Sequence, residues 1–281
     1  MAAPEHRDWK GEDGRRWLEH IDRLETMVAP VGDALIARAR FKPGETVVDV
    51  GCGGGLTSLD IARLVAPGGK VLGVDIAHML IERAEQRAWE QGVENVEFYC
   101  ADAENAQLPM TGFDRLFARF GVMFFRDTTA AFSHMRSWLA PGGSIIFSCW
   151  APVEENIWFT DVAQVVSRYI TLPEHQPDDP GPFRLSDPDV TRGMLERAGY
   201  TGIGIEPWRG KQPVGGKGAC PSAAADFLMT ALPIAASVSK LDASVRNDLK
   251  GDLEMMLAPR YREGSVMIEG AAWFVTAFNP G

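Results

Sequence analysis

The residues best suited to chemistry are glycines and acids that recur at strand ends. Asp49-Val50-Gly51-Cys52-Gly53-Gly54-Gly55 joins a β-branched run to a helical one. Glycine permits positive φ and lets a ligand approach backbone with no Cβ in the way. The helix that follows offers unpaired N–H groups and a partial positive charge, which suit an anionic or carboxylate-bearing nucleotide-type ligand. Asp75 stands twenty residues beyond Gly55. A carboxylate there can accept from both hydroxyls of a ribose, or cap the helix that starts near Ala77. Asp102 follows in CADAENAQLP (100–109), as a ligand or a turn residue. Proton-transfer candidates are His20, His175 and Tyr169; His134, among Phe132, Met135 and Trp138, reads as an ordinary helix residue. Phe120, Met123 and Phe124 come after one strand, and Trp150, Trp158 and Phe159 after the next. Aromatic residues so placed suit a flat or apolar ligand.

These residues need a scaffold that brings several strand ends together, and the chain carries its rhythm from 45 to 150. TVVDV (46–50), KVLGVDI (70–76), NVEFYC (95–100), FDRLFARF (113–120) and SIIFSCW (144–150) read as strands. LTSLDIARLV (56–65) reads as a helix; Ala77, Leu80, Ile81, Ala84 and Ala88 form the apolar stripe of another, ended by Gly92. Such alternation predicts right-handed βαβ units and an α/β, doubly wound, parallel sheet covered on both faces. Ligands then sit beyond the carboxyl ends of the strands, after Val50, Val74, Cys100, Ala118 and Cys149.

The flanks read as additions. Residues 15–40 predict one or two helices, with Pro30 as a break or first-turn residue. A helical stretch runs over Trp158–Ile170, then a proline-rich loop at 173–182, a helix at 190–200 closed by Gly199 and a strand at 202–208. Val238, Leu241, Val245, Leu249, Leu253 and Leu257 mark a long amphipathic helix before a last strand at 271–278. The division is a helical lid (1–44), a nucleotide-binding core (45–150) and a remainder (151–281) that completes the sheet and caps the substrate. Residues 210–265 leave room for a lid or a homodimer surface.

A length of 281 residues fits one enlarged α/β domain, and 46% apolar residues supply a large core. A net charge of −10 argues against gripping a phosphate backbone, so no nucleic-acid partner is expected. Apolar runs stay near strand length, so no membrane span is expected. The start MAAPEHRDWKGEDG lacks the features of a secretory signal. The scattered Cys52, Cys100, Cys149 and Cys220 read as reduced thiols, without a zinc or other metal site, in a cytoplasmic protein.

Asp49-x-Gly51-x-Gly53-x-Gly55 resembles the signature of class I S-adenosylmethionine (SAM) methyltransferases at every position. ARFGVMFF (118–125), followed by a helix, Pro-Gly-Gly and a strand, is similar to the small-molecule ubiquinone/menaquinone-biosynthesis group. The resemblance covers about 47–150. It implies a Rossmann-like, mostly parallel seven-stranded sheet with the last strand antiparallel, and SAM as cofactor. It also implies that Asp49, Gly51, Cys52, Gly53 and Gly55 form the cofactor loop, that Asp75 meets the ribose with Ile76 and Met79 also at the cofactor, and that Asp102 and Ala103 meet the adenine. Arg119 and Phe120 would lie near the methionine part, with Trp17 closing over the cofactor. Met123, Phe124, Trp150 and Trp158 would line the pocket of a small-molecule methyl acceptor. His78 departs from the group, where a small or hydroxyl residue is usual.

Two other readings use the same loop. An NAD(P)-dependent oxidoreductase would share the βαβ unit and Asp75. Leu56 in place of a third loop glycine, Asp49 before the loop, and the lack of a Tyr-x-x-x-Lys pair oppose it. A protein that binds SAM without transferring its methyl group is the third.

Overall fold

The structure is a computed structural model that describes residues 8–172 and 179–281. His175 lies outside the described residues. Two helices come first, α1 (Glu12–Glu19) and α2 (Ile21–Ala39). The alternating unit follows as β1 (Thr46–Val50), α3 (Leu56–Val65), β2 (Lys70–Asp75), α4 (His78–Gln91), β3 (Val96–Cys100), β4 (Phe113–Arg119), α5 (Thr128–Arg136) and β5 (Leu139–Trp150). The remainder holds α6 (Ile157–Val166), α7 (Pro188–Arg197), β6 (Thr201–Pro213), α8 (Pro221–Ala231), α9 (Ala235–Val238), α10 (Ala243–Leu257), β7 (Tyr261–Arg262) and β8 (Ser265–Phe278).

The sheet order is β3-β2-β1-β4-β5-β8-β6, with the two-residue β7 on β8. The first five strands run parallel, and β8 lies antiparallel between β5 and β6. This is the mostly parallel sheet with an antiparallel last strand that the glycine-loop resemblance implies. The chain steps outward through β2 and β3, then returns to place β4 on the other side of β1. That reversal opens a crevice between the ends of β1 and β4, where doubly wound sheets bind ligands.

Side chains alternate between the faces. Phe117 meets Phe41 beyond α2, whereas Phe147 on the opposite face meets Phe132 of α5. Val47, Val48, Leu116, Phe117 and Phe147 are fully buried. They form the near-continuous apolar runs expected of strands covered on both faces.

Pro30 neither breaks nor starts a helix: α2 runs through it. Interior proline costs about 3 kcal/mol, but α2 buries Met27, Val28, Val31 and Leu35 around it, and that burial outweighs the missing bond. The expected strand at 144–150 begins earlier, because Leu139 already pairs with Phe113 across a register shift. The long C-terminal helix is split, with Val238 in α9 and Leu249, Leu253 and Leu257 buried along α10.

One feature of the sheet bears on function. The pairing of β5 with β8 ends at Trp150–Ala272, yet β6 and β8 stay paired from Arg209–Ala271 to Pro213–Met267. A two-stranded ribbon therefore stands beyond the carboxyl edge of β5. Among the described residues no helix is long and apolar enough to cross a membrane.

Candidate active site

The glycine loop leaves β1 with Gly51, Gly53 and Gly55 all at positive φ. Two of the three are also crowded. A Cβ on Gly51 would stand 2.7 Å from the Gly121 Cα, so the turns after β1 and β4 touch backbone to backbone. A Cβ on Gly55 would stand 2.8 Å from the Ala84 Cβ and 2.9 Å from the Phe98 Cζ. Gly53 faces open space, with only Trp17 Nε1 nearby, 3.8 Å from where a Cβ would be. Trp17 of α1 thus lies over the loop. Ile21, Ala77 and Leu80, with Leu18 and Met79, hold it there through a small apolar cluster of their own.

Three carboxylates organise the strand ends. Asp49 is fully buried, and its Oδ2 accepts from Thr57 Oγ1 at 2.8 Å and Ser58 Oγ at 2.6 Å. Its Oδ1 has no hydrogen-bond partner among the described residues. Burial pushes the Asp49 carboxyl above its ordinary pKa, against its two hydroxyl donors and Arg119. Asp75 accepts from the Gly53 N–H and the Ala77 N–H, each at 2.9 Å, so one side chain ties the loop to the start of α4. Burial raises its pKa too. Asp102 accepts from the Glu104 N–H at 3.0 Å and shapes the turn after β3, next to buried Ala103. Ile76 offers its carbonyl to the Cys100 thiol at 3.8 Å, while Cys52 is buried within the loop.

At the end of β4, Arg119 lies against α2, where a Cβ on Gly32 would stand 2.9 Å from the Arg119 Cδ. Burial lowers the Arg119 pKa, opposed by the negative charges of Glu25, Asp49, Asp33 and Asp60. Phe120 follows with φ +63, a conformation uncommon for a residue with a side chain. Its ring stacks on Trp150 with centroids 4.1 Å apart, and Trp158 lies 5.0 Å beyond Trp150. Phe124 packs edge-on to Trp9, with centroids 5.2 Å apart. Met123 is buried in the core, and its carbonyl accepts from the Gly181 N–H at 3.0 Å.

Of the base candidates, Tyr169 and His20 lie among the described residues, and each has a partner of its own. Tyr169 donates to Asp252 Oδ2 of α10 at 2.5 Å, and that bond raises its pKa. His20, between α1 and α2, faces Phe227 of α8 edge-on at 6.3 Å; burial lowers its pKa. His134 meets the Ala106 carbonyl at 2.8 Å and fixes the 100–109 turn. His78 is exposed beside Glu82.

Sequence reasoning missed the clamp behind the loop. Arg87 of α4 bonds Glu25 of α2 at 2.8 Å and the Gly54 carbonyl at 2.9 Å, and both side chains are buried. The signal was present. Arg87 falls in the stripe Ala84–Ala88, and Glu25 in the stripe Ile21–Leu24–Val28, each a charge on an apolar face. Asn156 was also missed. Fully buried, it accepts from the Trp158 Nε1–H at 2.9 Å and the Ala271 N–H at 3.0 Å, and donates to the Ala151 and Pro152 carbonyls.

The glycine loop, Trp17 and Asp75 come together at the sheet's reversal point, and comparison with known proteins agrees with them. Residues 41–179 match the family described as methyltransferase domain. This stretch is a methyltransferase domain. Aklanonic acid methyltransferase DauC of Streptomyces sp. (strain C5) is 34% identical over 128 residues, which are 45% of this chain and 58% of that protein. Ubiquinone/menaquinone biosynthesis C-methyltransferase UbiE of Coxiella burnetii is 30% identical over 115 residues, 41% of this chain and 46% of that one. The chain spans about half the length of the curated relatives it matches. In fold, the methyltransferase domain and its additions resemble Haemonchus contortus phosphoethanolamine N-methyltransferase 2, solved with phosphomonomethylethanolamine and S-adenosylhomocysteine. The TM-score is 0.58 at 16% identity, over 99% of this chain and 62% of that one.

Proposed function

We propose that the chain is a SAM-dependent methyltransferase acting on a small, flat, aromatic or apolar acceptor. The observation that carries this reading is Asp75 bound to the Gly53 N–H beneath Trp17, at the point where the strand order reverses. The residues fit the cofactor. Gly53 leaves its backbone open to a ligand, with only Trp17 nearby. Asp75 stands where ribose hydroxyls would meet a carboxylate. The unpartnered Asp49 Oδ1 and the Arg119 guanidinium offer opposite charges to a zwitterionic amino-acid end. Asp102 and Ala103, in the turn after β3, would meet the adenine. Names of relatives support a small-molecule acceptor, since DauC and UbiE are named for aklanonic acid and quinone synthesis. Free thiols throughout suit a reducing, cytoplasmic setting.

When bound, SAM supplies a methyl group already activated by a sulfonium cation. The chain's own task is placement. Phe120, Trp150 and Trp158 form a wall that holds a planar acceptor and excludes water, and in-line positioning alone accounts for large rate gains. An acceptor that ionises readily, such as a phenol or an enol, suits this wall, because it needs little help from a base.

Two measurements test the proposal. Asp75→Ala should weaken S-adenosylhomocysteine binding by about a hundredfold, the loss of two hydrogen bonds to a charged group. Calorimetry checks this, and unchanged affinity would refute the assignment of Asp75. Tyr169→Phe should leave methyl transfer from labelled SAM to hydroxy-aromatic acceptors within about twofold, because it removes only a partly exposed hydrogen bond. A loss of turnover at unchanged stability would return Tyr169 to the chemistry.

A further inference from the structure

Gln212 lies near the end of β6, on the ribbon that stands beyond the carboxyl edge of β5. It has no solvent exposure. Neither its Oε1 nor its Nε2 meets a hydrogen-bond partner among the described residues. A carboxamide has two N–H groups to give and an oxygen to accept with, and burying it unmet is costly. Positions facing a sheet's core are otherwise filled by apolar side chains, so a buried amide of this kind calls for a use.

Its surroundings show what that use is. A Cβ on Gly270 would stand 2.8 Å from Gln212 Oε1 and 3.4 Å from Trp158 Cδ1, so the amide lies over bare backbone beside the indole. The Trp158 N–H is committed to Asn156, and Asn156 is satisfied in turn by the Ala271 N–H and two carbonyls. The neighbours therefore complete one another and leave Gln212 out. Read outward from the Gly51–Gly121 contact, Phe120, Trp150 and Trp158 form a row of rings, and Gln212 lies at its far end.

We propose that the Gln212 carboxamide anchors the methyl acceptor through hydrogen bonds at the outer end of this aromatic wall. The inference rests on the reading of that wall as the acceptor site. It narrows the acceptor to a planar ring system with a carbonyl and a hydroxyl close together. The carbonyl takes the Nε2–H and the hydroxyl gives its proton to Oε1. Gln212 selects the substrate and takes no part in the transfer.

The test uses the full chain loaded with S-adenosylhomocysteine, with tryptophan quenching as the readout. Two probes are compared: alizarin, an anthraquinone with neighbouring hydroxyls beside a carbonyl, and unsubstituted anthraquinone. Wild type should bind alizarin about tenfold or more tightly than anthraquinone. Gln212→Met should erase that preference, with S-adenosylhomocysteine binding unchanged and Tm equal or higher. A drop in Tm of several degrees for Gln212→Met would show that the amide is an internal structural partner and overturn the proposal. An alizarin preference that survives in Gln212→Met would overturn it as well. If wild type binds S-adenosylhomocysteine but neither quinone, the acceptor-wall reading falls and takes this inference with it. Failure of wild type to bind S-adenosylhomocysteine would instead strike at the cofactor reading.

Discussion

Arg87→Met should destabilise the protein by about 3–5 kcal/mol and abolish detectable S-adenosylhomocysteine binding, because it strands a buried charge behind the glycine loop. Glu25 is buried against Arg87 at 2.8 Å, and the variant leaves its carboxylate with neither solvent nor a counter-ion at that distance. The same guanidinium holds the Gly54 carbonyl at 2.9 Å, so the loop keeps only the Asp75 tie to α4. Asp22, the exposed third member, contributes little. Denaturant unfolding measures the first effect and calorimetry the second. Glu25→Leu combined with Arg87→Met should recover most of the stability, because an apolar pair of similar volume leaves no buried charge, but not the binding. If the single variant unfolds like wild type, the clamp is not what secures the loop.

Gly51→Val carries the second large effect. The new side chain would need a left-handed backbone at φ +69, worth about 1–2 kcal/mol for any L-residue. It would also press on the Gly121 Cα from 2.7 Å, and backbone there cannot swing aside as a side chain can. Forced overpacking adds about 1–3 kcal/mol. The turns after β1 and β4 must then part, which widens the crevice between them and should weaken S-adenosylhomocysteine binding in calorimetry. Gly92→Ala separates the two causes. Gly92 has φ +62 but nothing within 4 Å of a would-be Cβ, so it should show the conformational cost alone and bind normally. Equal losses in the two variants would mean that the Gly51–Gly121 contact has no special weight.

How much of this was legible in the sequence follows from the range of the contacts involved. The strand–glycine–helix rhythm of 46–100 and the positions of Asp49, Asp75 and Asp102 are local patterns, and β1 to β4 fall within a residue or so of the expected bounds. Pro30 misled because local propensity says stop, while α2 is held by what it buries across the sheet. The base candidates were chosen by residue type on segments whose partners lie far along the chain. Nothing near Tyr169 announces Asp252, 83 residues on. Gln212 falls in the 210–265 stretch that the sequence leaves to a lid or a homodimer surface, and only the pairing of β6 with β8 places it on the buried face of a ribbon. Arg87 and Glu25 were readable in principle, as charges inside apolar stripes, though each needs the other helix to explain it.

The most direct test is calorimetric titration of the purified wild-type chain with SAM, S-adenosylhomocysteine, NAD and NADP. One site per chain is expected for the two sulfur ligands, with no heat of binding from either dinucleotide. Binding of a dinucleotide alone would contradict it, and would hand the glycine loop and Asp75 to hydride chemistry instead.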